Sequence, residues 1–463
     1  MTESMTVFAT AECTDALLPV VGAGLPVPLV TAGASVPYAN LDYAASAPAL
    51  QAVAEHLATA LPYYASVHRG AGYASQVSTA LLENSRSCIG RFLGAREDDL
   101  VVFTRNTTDA LNLLAHCVPA GSSVLYLDIE HHANLLPWQR RGDVVLEAAP
   151  TLRETLADVE AALAATPTAL LAVTGASNVT GQLLPIKKLA EIAHRHGARI
   201  AVDAAQLAPH RRVSLTDSGV DYLALSGHKL YAPYGAGVLV GRSDWLDAAP
   251  AYLAGGGAVR EVGTSSTDWA TGPARHEGGT PNVLGAAALA RACEELATVG
   301  GAALAEHEDK LRRRLLAGLA RLPEVGVLSI WAPDPSDNAN NPHEADDAIG
   351  VVSFTVAGYH AGWVAAYLSA EHGIGVRDGR FCAHPLVGKL GLAADGAIRA
   401  SFGVGSTSGD VDRLLSALRT LLTDGPAWDY ELVDGRYSPV ADPRPIPDFA
   451  GPRSSVTSPC QAD

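Results

Sequence analysis

The chain has 463 residues, 48% of them hydrophobic, which is enough for a large core and two domains and excludes a disordered polymer. A formal net charge of −16 argues against a nucleic-acid or anionic-membrane partner. The six cysteines form no Cys-x-x-Cys pair, so neither a zinc site nor a dense disulfide framework is expected.

Residues 1–37 read as an N-terminal extension, strand-like in Pro26-Val-Pro-Leu-Val30. The apolar stretch from Leu17 to Val30 is broken by Gly and Pro and is too short to span a bilayer, so a soluble, cytoplasmic chain is expected. From 38 to 290, short apolar runs alternate with amphipathic stretches, the rhythm of a βα-wound sheet. Leu100-Val-Val-Phe103, Val124-Leu-Tyr-Leu127, Ala169-Leu-Leu-Ala172 and Ile200-Ala-Val202 read as buried strands. The run from Leu189 to His196 reads as a helix stopped by Gly197. Residues 291–424 read as a smaller α+β domain. It holds a helix through Glu306 to Leu319, strands Val351–Thr355 and Ala397–Ser401, and helices Ala361–His372 and Val411–Leu422. Ala332 to Ala348, rich in Asn, Asp and Pro, reads as a mobile surface loop. The proline-rich tail, 425–463, is expected along the surface or partly disordered.

The densest chemistry lies in Asp221-Tyr-Leu-Ala-Leu-Ser-Gly-His-Lys229, an apolar strand that ends in small and polar residues and then a lysine. Upstream, Asp203 ends a second buried strand. A lysine and an aspartate at the carboxyl ends of neighbouring strands suit pyridoxal 5′-phosphate (PLP): the amine forms a Schiff base and the carboxylate keeps the pyridinium nitrogen protonated. Thr104-Arg-Asn-Thr-Thr108 joins a strand to a helix beginning near Asp109, so Thr107 and Thr108 are candidates for a phosphate cradle at a helix N-terminus. The plainer readings are a solvated strand-end lysine and ordinary threonine caps.

Taken in order with Glu130-His-His-Ala-Asn134, Ser177-Asn-Val-Thr-Gly181 and Val202-Asp-Ala-Ala-Gln206, these blocks resemble the class V aminotransferase-like PLP enzymes. Within that family the likeness is to group II cysteine desulfurases and selenocysteine lyases, over roughly residues 38–422. The resemblance implies an α/β, type I PLP-dependent transferase fold: a large domain with a mostly parallel seven-stranded sheet, plus the smaller α+β domain. It implies that Lys229 carries the cofactor, that His131 stacks on the ring and serves in catalysis, and that Asn178 and Gln206 reach the ring hydroxyl. Ser226 and His228 would join the phosphate ligands. Gly279-Thr-Pro-Asn282 matches a segment that reaches across a homodimer, making Thr280 a ligand for the other subunit's cofactor.

On the substrate side, the resemblance assigns Arg399 to the substrate carboxylate, a bidentate task suited to guanidinium. It adds Arg377, His68 and Ala45 to the same pocket. Gly375-Val-Arg-Asp-Gly-Arg-Phe-Cys-Ala-His-Pro385 resembles the desulfurase active-site loop, so Cys382 would take sulfur from L-cysteine as a persulfide and pass it to an acceptor protein. Two positions depart from the family pattern. Arg380-Phe381 stands where histidine commonly precedes the cysteine, and Gly403-Val-Gly-Ser-Thr407 replaces Tyr-Asn-Thr after the arginine. The residues leave open a structural Cys382 and other reactions on the same cofactor (C–S lyase, epimerase or aminotransferase). They also leave open a non-catalytic PLP-fold scaffold.

Overall fold

The computed structural model describes residues 14–31, 33–333, 347–392 and 395–451. Cys13, Cys460, most of the expected 332–348 loop and the end of the tail lie outside the described residues.

A seven-stranded sheet forms the centre. In chain order its strands are β1 (Asp99–Thr104), β2 (Val124–Leu127), β3 (Val144–Leu146), β4 (Leu170–Thr174), β5 (Arg199–Asp203), β6 (Tyr222–Ser226) and β7 (Gly237–Arg242). The spatial order is β1-β7-β6-β5-β4-β2-β3, and only β7 runs against the rest. Every residue of β2, β4 and β6 is buried. That is why these segments read as unbroken apolar runs: helices cover both faces of a parallel sheet and leave no polar side. Helix Ile186–Arg195 shows the complementary pattern, burying Leu189, Ala190, Ile192 and Ala193 while its charged residues face outward. It is followed by Gly197 in the left-handed region, at φ 75°.

A second, antiparallel sheet follows: β8 (Val325–Val327), β9 (Val351–Val356), β10 (Arg377–Gly379) and β11 (Ala397–Ser401), in the order β8-β9-β11-β10. Phe354, Tyr367, Leu368, Ile398, Leu414 and Leu418 pack its core against helices Ala361–His372 and Ser408–Thr423. A reciprocal cap between Thr407 and Asp410 opens the latter helix. Helix Val283–Val299, which the periodicity did not single out, precedes helix Gly301–Leu319. Its first half is continuously apolar and ten of its residues are buried, while Arg291 pairs with Glu294 and Glu295 on its outer face.

The described part of the N-terminal segment is tied to the body. The Leu17 N–H donates to the Val404 carbonyl (2.7 Å), Val20 bridges Leu50, and Ala39–Asn40 pairs in parallel with Ile374–Gly375. The tail, through residue 451, lies along the surface and forms a hairpin, Tyr430–Val433 with Arg436–Pro439. Among the described residues, no helix is long and apolar enough to cross a membrane.

Candidate active site

Parallel strands deliver their carboxyl ends to one edge of the sheet, and a cavity of about 260 Å³ opens there. Thr107, Thr108, His131, Asn178, Asp203, Gln206, Ser226, His228 and Lys229 line it, and Ala45, Arg377, Cys382 and Arg399 complete the wall from the other side. Their sequence separations reach hundreds of residues, so the fold alone brings them together.

Helix Thr107–Cys117 starts two residues earlier than the sequence suggested, because Asn106, not a threonine, is its N-cap: the Asn106 side chain accepts the Asp109 N–H at 3.0 Å. Thr107 and Thr108 therefore occupy the first turn, where backbone N–H groups lack helical partners. The Thr107 N–H donates to Ser226 Oγ at 2.7 Å, and the two hydroxyls also lie 2.7 Å apart, which locks the helix start to the end of β6. A Cβ on Gly237 would meet the Asn106 backbone at 2.7 Å, so glycine is what allows β7 to run beneath this turn.

Asp203 is buried, and burial raises its pKa above the ordinary carboxylate value against the pull of the Ala205 N–H and Lys229. Burial pushes Lys229 down to about 8, with Asp203 opposing. Among the described residues, Lys229 Nζ has no hydrogen-bond or ion-pair partner. Gln206 donates to the Ala44 carbonyl at 2.8 Å, and Nδ1 of His228 lies 3.3 Å from Ser46 Oγ. Burial lowers His228 to about 4.

His131 caps helix His132–Arg141, its Nδ1 accepting the Ala133 N–H at 3.0 Å. Burial first, then the Lys229 charge, lowers it to about 3, so the ring is neutral near pH 7. The turn that carries it is fixed by Glu130, a fully buried acid to which no role had been assigned. Glu130 accepts from Asn134 Nδ2 (2.7 Å) and from the Thr174 N–H (3.0 Å), pinning the helix start to the end of β4. Burial raises its pKa well above the usual range. An acid directly before His-His, on the line of a buried strand, was the available signal.

Arg399 is buried on β11, and desolvation lowers its pKa. Nη1 donates to the Asn178 carbonyl (2.8 Å) and Nη2 to Asp42 (3.3 Å), while Nε is buried without a protein partner. Nothing in the sequence could have paired Asp42 with a residue so remote. The Arg399 guanidinium lies 5.2 Å from the centre of the Phe381 ring. Phe381 and Cys382 both take left-handed backbone, each at φ 52°, which non-glycine residues rarely adopt. Cross-links hold that turn: Asn178 Nδ2 donates to the Phe381 carbonyl (2.8 Å) and the His132 N–H to the Cys382 carbonyl (2.8 Å). Asn178, expected at a ring hydroxyl, thus spends one donor on the Cys382 turn, and His132 serves as its backbone anchor. The glycines that replace Tyr-Asn-Thr also have a packing reason: a Cβ on Gly403 or Gly405 would collide with the buried Tyr43 side chain.

Two expected residues stand apart. His68 is not on the cavity wall. Thr79 Oγ1 accepts its backbone N–H (2.9 Å) and its ring meets Glu83 at 3.1 Å, which hold it on the outer surface against helix Tyr73–Phe92. Thr280 is exposed and lines a different groove, shared with His68. The buried Cys88, Cys117 and Cys293 have thiols raised by desolvation, which leaves them poor nucleophiles.

The residues present fit a phosphorylated pyridine aldehyde. An unpartnered amine and a buried acid share one cavity, hydroxyls and first-turn N–H groups stand at its end, and a buried guanidinium keeps an unused donor.

Residues 39–414 match the model of the family described as Aminotransferase class-V. The chain belongs to the class V aminotransferase family, whose members are PLP-dependent enzymes. It is 37% identical over 397 residues to a cysteine desulfurase of Klebsiella pneumoniae (strain 342), covering 83% of this chain and 93% of that one. A cysteine desulfurase of Enterobacter sp. (strain 638) is 35% identical over 83% of this chain and 94% of its own. The apo cysteine desulfurase of Thermococcus onnurineus NA1 superposes with a TM-score of 0.75 at 34% identity, over 84% of this chain and 95% of that one. The Escherichia coli cysteine desulfurase CsdA, in an S-sulfonic acid form, gives 0.70 at 32% identity, over 83% and 94%.

Proposed function

We propose that this chain is a PLP-dependent cysteine desulfurase that moves sulfur from L-cysteine to Cys382 and releases alanine. The observation that carries the reading is a cysteine outside any disulfide, Cys382, in the wall of the same cavity as Lys229 and Arg399. The two named relatives and the two solved structures, all cysteine desulfurases, support it.

Lys229 would hold the cofactor's aldehyde, Asp203 its ring nitrogen, Asn178 and Gln206 its hydroxyl, and His131 would lie on its ring. Thr107, Thr108, Ser226 and His228 would hold its phosphate, joined in a homodimer by Thr280 of the partner subunit. When bound, the cofactor supplies an electron sink for charge that develops at the substrate's Cα. Arg399 engages the substrate carboxylate through its unused Nε, with Arg377 adding charge at the entrance. Lys229, with its pKa drawn down to about 8 from an ordinary 10.5, has a neutral fraction near physiological pH that an ordinary lysine lacks, and takes the Cα proton. The Cys382 thiolate then attacks the substrate sulfur. An S–S bond forms and the Cβ–S bond breaks. The pair left at Cβ takes a proton, giving alanine and a persulfide on Cys382, from which an acceptor removes the sulfur. The enzyme is taken to work in the cytoplasm.

The test is incubation with L-cysteine and a reductant. Equal amounts of alanine and sulfide are expected, and, when the reductant is left out, a mass gain of one sulfur on the Cys382 peptide. Pyruvate and ammonia in place of alanine would instead mark a C–S lyase.

A further inference from the structure

A second cavity, of about 360 Å³, lies on the far side of the Cys382 turn. Arg377, Phe381 and Cys382 belong to the walls of both cavities. The outer one is closed by Gly435, Arg436 and Tyr437 of the C-terminal hairpin, which lies beyond the family match that ends at residue 414. The hairpin is firmly seated. The Glu371 carboxylate accepts the N–H groups of Ala427 (2.9 Å) and Trp428 (3.2 Å) and the Tyr430 hydroxyl (2.8 Å). Trp363 meets Tyr430 edge-on at 5.0 Å. Gly362 permits the close approach: a Cβ there would lie 3.1 Å from Asp378 Oδ2 and 3.4 Å from the Tyr437 ring.

The chamber's charge runs against that of the chain. The guanidinium groups of Arg377, Arg380 and Arg436 and the His360 imidazole line it, with Asp378 as the one carboxylate among the described residues, in a protein whose net charge is −16. Its volume suits a small molecule better than a protein surface.

We propose that this outer chamber receives the sulfur acceptor and that the acceptor is a small thiol bearing a carboxylate, selected by the hairpin wall through Arg436. The proposal rests on the desulfurase reading given above. The acceptor thiolate attacks the outer sulfur of the Cys382 persulfide. A new S–S bond forms, the Cys382–sulfur bond breaks, and Cys382 leaves as a thiolate. The persulfide proton travels with the transferred sulfur, so no external oxidant or reductant enters. Cysteine enters from the inner cavity, sulfur leaves through the outer one, and the cationic rim favours both the anionic acceptor and the thiolate leaving group.

The test uses the full-length holoenzyme. Cys382 is charged with L-cysteine, the persulfide is verified by mass spectrometry, and its discharge is timed with 3-mercaptopropionate and with neutral 2-mercaptoethanol. The readout is the ratio of the two rates, compared between wild type and Arg436→Glu, so that intrinsic thiol reactivity cancels. The ratio is expected to fall about fivefold in the variant, the scale of one partly exposed charge pair, and about twofold in Arg436→Gln. Persulfide formation in the same samples reports that each variant is folded. An unchanged ratio would overturn the proposal. So would discharge that neither thiol accelerates and only a protein acceptor achieves. No persulfide on Cys382 in wild type would instead remove the desulfurase reading, and this one with it.

Discussion

Lys229, Asp203 and Thr107 stand at or just beyond the ends of parallel strands embedded in the main core, whereas Cys382 stands on a turn between two small-sheet strands, with left-handed backbone at two successive residues. The first wall is held by the sheet itself: shifting Asp203 would mean breaking the ladder from β4 to β6. The second is held by a few hydrogen bonds from other elements, chiefly Asn178 and the His132 N–H. Left-handed backbone at a non-glycine residue costs about 1–2 kcal/mol, so those bonds offset a real strain. The difference separates two tasks. On the function proposed above, the group that would move protons sits on the rigid wall, and the group that would handle sulfur sits on a turn facing two cavities.

Removing the rigid wall's amine should have the largest effect. Lys229→Ala is expected to lose turnover by at least about 10³-fold and to abolish the yellow colour of the reconstituted enzyme, both read by spectrophotometry. Cys382→Ala should lose desulfuration by about 10²-fold or more while keeping the colour. Full activity in that variant would show that the turn contributes nothing to the chemistry.

A pH series sharpens the rigid side. Only the neutral amine reacts with an aldehyde, so PLP uptake by the apo-protein should rise about tenfold per pH unit and level off above about 8. An unshifted lysine would keep rising to its ordinary value of 10.5. Because the folded pKa lies below the unfolded one, the unfolded chain binds more protons between these limits, and apo-protein stability should grow with pH across them.

On the strained side, Asn178→Ala removes the donor to the Phe381 carbonyl. It should slow sulfur transfer by about tenfold, with a smaller change in cofactor affinity, as single-turnover and binding measurements would show. The smallest effect is expected from Glu371→Ala, which unseats the hairpin. About 1 kcal/mol of local stability should be lost, seen as faster hydrogen exchange over residues 430–439 with little change in melting temperature. Unaltered exchange would mean that the hairpin is held by its ring contacts alone.

Much of the large-sheet wall was legible beforehand. Buried parallel strands appear as apolar runs, and the charged or hydroxyl residue at the end of each run marks the edge where a cofactor can lie, which is how Lys229, Asp203 and Ser226 stood out. Asn106 was missed although Asn three positions before Asp at a strand-to-helix junction is a recognisable cap. The place of His68, off the cavity wall, was not legible because a loop histidine near a helix reads the same whether it faces a pocket or an acid on that helix.

Local chemistry along the chain determined the strands and the helix stops and put Lys229 forward as the candidate amine, because burial and backbone preference act over a few residues at a time. Tertiary structure alone decided that Asp42 pairs with Arg399, that Asn178 and His132 hold the Cys382 turn, and that a proline-rich tail becomes the wall of a second chamber. Each of those depends on hydrogen bonds and packing between segments far apart in sequence, which exist only after the cores have formed.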